Sequence, residues 1–166
     1  QNTFKCSSAD IGPQNAEAKT IEADANNCAS QLILPDYLVW PWVADRKPSL
    51  DLANAMGDAF QASLTASALK LLQRAQGAIA ITCHDQRRLK WSRRSRNFST
   101  DFYILNELHQ DTIAFEMAFG AVKGLSRPKR EGASRWISGP STYRMEVWSQ
   151  SIKLPEGSVL TMLSVI

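Results

Sequence analysis

The chain has 166 residues, 44% of them hydrophobic and 21% charged, with a net charge of +3, which is the size of one domain or of a domain with a small appendage. No apolar run approaches the roughly 18–20 residues that a membrane helix needs. Glycine and proline are too few for a collagen-like or disordered chain, and neither repeats nor low-complexity tracts occur.

The three cysteines, Cys6, Cys28 and Cys83, are odd in number and lack metal-ligand spacing, which argues against a disulfide framework or a CxxC zinc site and for a reducing cytoplasm. The sequence starts at Gln1 with neither a basic flank nor an apolar stretch of signal-peptide type. Charge is unevenly spread. Residues 1–60 hold four Lys or Arg against eight Asp or Glu, a net of −4, so the remaining 106 residues carry +7.

In chain order, residues 1–15 are polar, contain Gly12-Pro13 and read as loop. From Ala16 to Leu34, Ile21, Ala25, Cys28, Ala29 and Leu32 recur at helical spacing, and Pro35 supplies the stop. Tyr37 to Pro48 reads as a connection or short helix, with Trp40-Pro41-Trp42 as a core anchor. Ser49 is an N-cap for a helix bearing Leu50, Ala53, Met56 and Phe60 on one face. After Gln61-Ala62-Ser63 a second helix resumes from Leu64 to Gln76, giving the outline of a helix-turn-helix in which Lys70, Gln73 and Arg74 are the evident phosphate or base readers.

Beyond Gly77 the pattern changes to strands. Ala78 to Cys83 and Leu89 to Ser92 form a hairpin about Asp85-Gln86. Six cations fall in ten residues here: Arg87, Arg88, Lys90, Arg93, Arg94 and Arg96. Such density is either a solvated strand pair or an electrostatic footprint for nucleic acid or an acidic partner. Phe102 to Gly120 reads as helix followed by strand, and the basic stretch Lys123 to Pro140 as a long surface loop. Tyr143 to Ile152 alternates, Pro155-Glu156-Gly157 turns, and Ser158 to Ile166 is a closing strand. The expected class is α+β, N-terminal helices followed by a mostly antiparallel sheet.

Neither GxSxG, a Walker loop, GxGxxG nor HExxH occurs in the chain. His84 and His109 are isolated and read as surface or capping histidines. A complete catalytic site built from this chain alone therefore has no motif to support it.

The most informative segment is Glu22-Ala23-Asp24-Ala25-Asn26-Asn27-Cys28-Ala29-Ser30-Gln31-Leu32-Ile33-Leu34-Pro35. It resembles the E-x-x-A-N-x-x-A-x-x-L-x-x-P helix of the ImmA/IrrE family of zinc metallo-endopeptidases. The helical pair over Leu50 to Leu72, the strand pair over Ile79 to Ser95 and the tail from Glu146 to Leu163 also resemble later parts of that family. The similarity covers residues 20–95 and 143–163.

The resemblance implies that Glu22 is the third zinc ligand and that Asn26, one turn on, is a supporting partner on the same helix face. It also implies two histidines and a general-base glutamate from HExxH, a motif this chain lacks, so the expectation is a C-terminal portion whose HExxH lies upstream of Gln1. Zinc then belongs to the full-length protein and is absent or incomplete here. The implied activity is intracellular cleavage of a helix-turn-helix transcriptional repressor that controls mobile-element transfer or stress response.

The implied organisation is residues 1–48 as the remainder of the metallopeptidase domain, 49–77 as a helix-turn-helix-like pair and 78–166 as a strand-rich region with the basic hairpin. An apolar face on the Glu22 helix would be covered by a homodimer or an upstream fragment. Two readings compete with the peptidase. One is a non-catalytic DNA- or protein-binding regulatory module; the other is a pseudoenzyme whose later region senses a ligand.

Overall fold

A computed structural model describes residues 31–44 and 46–166. Gln31, Leu32 and Ile33 are helical and the helix ends before Pro35, as expected where a proline disfavours helical backbone in the residue before it. Pro35 then stands, with extended backbone, at the N-cap of α1 (Asp36–Val43), and its carbonyl accepts the Val39 N–H at 3.1 Å.

The next two helices are delimited by serines. Ser49 Oγ accepts the Leu52 N–H at the start of α2 (Leu50–Phe60), and Ser63 Oγ accepts the Ala66 N–H at the start of α3 (Leu64–Arg74), each satisfying a donor that the first helical turn leaves free. Between them Gln61 adopts a left-handed backbone at φ 53°. The returning chain places Ala62 O 2.9 Å from where a Cβ on Gly57 would lie, so the turn needs glycine there.

The strands are β1 (Ile79–His84), β2 (Leu89–Arg94), β3 (Tyr103–Ile104), β4 (Lys129–Gly132), β5 (Ile137–Ser138), β6 (Glu146–Lys153) and β7 (Val159–Val165), with α4 (Ile113–Phe119) between β3 and β4. Five of them form one antiparallel sheet in the order β2-β1-β7-β6-β4, and β3 pairs with β5 separately. N-terminal helices followed by a mostly antiparallel sheet make this an α+β fold.

Alternation along the strands builds two hydrophobic layers. On one face Ile79, Ile81, Leu160 and Met162 pack with Leu34, Val39, Leu50, Met56 and Leu71 of the helical layer. On the other, Ala80, Val147 and Leu163 pack with Ala114, Met117, Trp136 and Ile137. The central strands β1 and β7 are therefore buried on both faces.

Three sequence expectations are corrected. Over 102–120 the order is strand then helix, because Tyr103 and Ile104 pair with Ser138 and Ile137 far along the chain, while Thr112 caps the seven-residue α4. Residues 123–140 are not one surface loop. They supply β4 at the sheet edge, β5, and the buried Ala133, Trp136 and Ile137; their polar composition reflects an edge strand whose one buried acid, Glu131, accepts hydrogen bonds from Trp136 Nε1 (2.7 Å) and Ser149 Oγ (3.0 Å). Trp40 is not a core anchor: it is 59% exposed, and Val39 beside it takes the buried position.

Candidate functional site

The six cations named from sequence lie on the β1–β2 hairpin and just after it. Asp85 Oδ1 accepts the N–H groups of Arg87 (2.7 Å) and Arg88 (2.8 Å), a side-chain-closed turn. Those bonds, Arg88 first and then Arg87, hold the Asp85 carboxyl below its ordinary range. A register shift between Cys83 and His84 lies just before the turn.

The hairpin does not gather its charges on one face. Arg93 stands opposite Ile81, on the helical side of the sheet, and Arg94 opposite Ala80, on the α4 side. Arg94 lies over the Phe98 ring at 5.4 Å, Lys90 Nζ donates to Ser158 Oγ at 3.1 Å, and Arg93 donates to the Ser92 carbonyl. Arg87, Arg88 and Arg96 are exposed. As an edge strand, β2 has one side unpaired, and flanking cations on such a strand also discourage edge-to-edge aggregation.

Glu22 and Asn26, the ligand and its supporting partner, lie outside the described residues, as do Cys6 and Cys28. Among the described residues no group of three or more His, Cys, Asp or Glu is placed to hold a metal. The donors described here thus do not form a zinc set, and Glu22 is the one candidate ligand that the resemblance supplies.

His84 is buried rather than at the surface, because it falls on the β1 face covered by the second hydrophobic layer. Its Nε2 lies 3.1 Å from the Leu105 carbonyl, to which Nε2–H donates, and Nδ1 has no protein partner. Burial lowers its pKa. His109 lies at the surface, in the turn before α4, with Nδ1 accepting the Asp111 N–H at 3.2 Å. Cys83 is buried and free, and desolvation pushes its thiol pKa up.

The feature that sequence reasoning missed is the ion cluster at the start of α1. Asp36 meets the buried Lys70 Nζ at 2.9 Å, accepts from Arg74 Nε at 3.1 Å and from Gln31 Nε2 at 3.0 Å, and pairs with Arg74 Nη2 as well. Arg74, then Lys70, holds the Asp36 carboxyl far below its ordinary range. Lys70 and Arg74 are therefore corrected as nucleic-acid readers: the cluster binds α3 to the segment that follows Pro35. Their i, i+4 spacing on one helix face was a visible signal; the acid they share, 34 residues before Lys70 and 38 before Arg74, was not.

No protein-family model matches the chain, and no curated protein is significantly similar to it. Among the described residues no helix is long and apolar enough to cross a membrane.

Proposed function

We propose that this chain is the later, non-catalytic portion of an intracellular zinc metallo-endopeptidase of ImmA/IrrE type, acting on a helix-turn-helix transcriptional repressor. The observation that carries this reading is the Glu22–Pro35 pattern together with its continuation: the helix stops before Pro35, and the ion cluster of Asp36 with Lys70 and Arg74 anchors that stop to the helical pair. In this reading Glu22 is the chain's contribution to the metal site, the two histidines come from outside the 166 residues, and the region after Gly77 helps select the substrate.

The test is to express the chain with the residues encoded ahead of Gln1 and to measure bound zinc. An upstream HExxH, one zinc per protein and loss of that zinc in Glu22→Gln support the reading. An upstream sequence without HExxH, or zinc retained in Glu22→Gln, rejects it.

The second reading, a DNA- or protein-binding module without catalysis, is favoured by the density of exposed cations at the hairpin. It predicts DNA affinity that falls steeply between low and moderate salt.

A further inference from the structure

A groove of about 770 Å³ runs between the helical layer and the sheet, bounded by the end of α1, the connection to α2, the end of α3 and strands β1, β6 and β7. That volume lies in the range of about 300–1,000 Å³ usual for small-molecule sites. The lining residues differ in depth. Leu71, Ile79 and Met162 are buried at its floor, while Trp40 and Trp148 stand exposed at its sides.

Most polar side chains along the groove already have partners among the described residues, Ser164 and Gln76 near its ends being exceptions. Gln150 gives its Oε1 to the Leu50 N–H and its Nε2 to Asp51 and the Ser126 carbonyl; Ser149 Oγ donates to Glu131; Ser49 Oγ accepts from Leu52. Arg74, also on the lining, is engaged by Asp36. The cations that remain are Arg46 and Lys47, exposed at the edge and without an ion pair among the described residues. Arg46 lies 5.7 Å from the centre of the Trp42 ring, a contact that limits its side-chain freedom.

A floor of buried Leu71, Ile79 and Met162 suits an apolar body, and two cations at the opening suit one negative charge. We infer that this groove binds a small amphiphile with an apolar body and a single anionic head, of the medium-chain carboxylate class. The apolar body lies over Ile79 and Met162 between the two indoles, and the head meets Arg46 and Lys47. A nucleobase, which needs hydrogen-bonding partners at its edges, is a poorer match to this floor. The inference stands independently of the zinc-peptidase reading.

Titration calorimetry on the whole 166-residue chain tests it, with decanoate below its micellar concentration and with decylammonium and decanol as comparators. The expected result is one saturable site for decanoate, weaker binding of decanol and none of decylammonium. In Arg46→Glu/Lys47→Glu the dissociation constant for decanoate should rise about tenfold or more, since two charge-assisted contacts become repulsive. Both side chains are exposed, so the circular dichroism spectrum should stay unchanged. No saturable heat with decanoate, equal affinity for a comparator, or an unchanged dissociation constant in the charge-reversed variant would overturn the proposal.

Discussion

Lys70 lies inside the helical layer with its side chain wholly shielded, and the Asp36 carboxylate 2.9 Å away offsets the cost of burying its charge. Asp36→Asn would strand that ammonium. Because Asp36 is itself 40% exposed, water would relieve part of the penalty, and the expected loss is about 2 kcal/mol at pH 7 by urea unfolding. Adding Lys70→Met should recover most of it.

The acid dependence follows from the sign of the Asp36 shift. The folded-state pKa lies below the unfolded one, so the stability it confers is complete above about pH 4 and is lost as pH falls further. Asp36→Asn should flatten that limb of the profile. His84 acts over a higher window. Its folded pKa is lowered, so the unfolded chain binds the proton more readily, and stability falls as pH drops below about 6.5. His84→Gln, which keeps a donor for the Leu105 carbonyl, should reduce the difference between unfolding curves at pH 7.5 and pH 5.5.

Among the elements, the turn between α2 and α3 places a side-chain-bearing residue where the backbone is left-handed. Gln61→Gly should raise stability by about 0.5–1 kcal/mol, as the relieved strain exceeds the added freedom of the unfolded chain. Thermal unfolding would show it, and a lower midpoint would contradict it. The edge strand β2 presents a different question. Arg93 and Arg94 flank it on opposite faces, so Arg93→Glu/Arg94→Glu should weaken binding to repressor or DNA and reduce its salt dependence without changing the fold. Unchanged binding to both partners would assign these cations to edge protection alone.

Elements that local chemistry dictates were legible from residues alone. Ser49 and Ser63 announced two helices, Gly77 the change to strands, and Pro155-Glu156-Gly157 the last hairpin. Where pairing is distant, pattern failed. Tyr103 and Ile104 become strand because of residues 137 and 138, and Lys129 to Gly132 become strand because β6 offers an unpaired edge. The candidate site divides the same way. The basic cluster is visible as composition, but its split over two faces depends on register, and the groove exists only once the ends of α1 and α3 meet the sheet.

For the molecule as a whole, the sheet is a shared wall. Leu71 of the helical pair and Ile81 and Leu160 of the sheet lie in one hydrophobic cluster, and the same strands carry the second cluster on their other face. The helical and strand-rich regions should therefore unfold together, giving one transition by near- and far-ultraviolet circular dichroism; two separated transitions would show that the layers are independent.

The position of β7 has a consequence for synthesis. It lies between β1 and β6, with Ile79 opposite Ser164 and Val147 opposite Val165. Until residues 159–165 have left the ribosome, β1 lacks one neighbour, β6 lacks another, and neither hydrophobic layer has a complete wall. Closure of both hydrophobic layers therefore waits on β7, and partly synthesised chains that stop short of residues 159–165 should expose both clusters and aggregate readily.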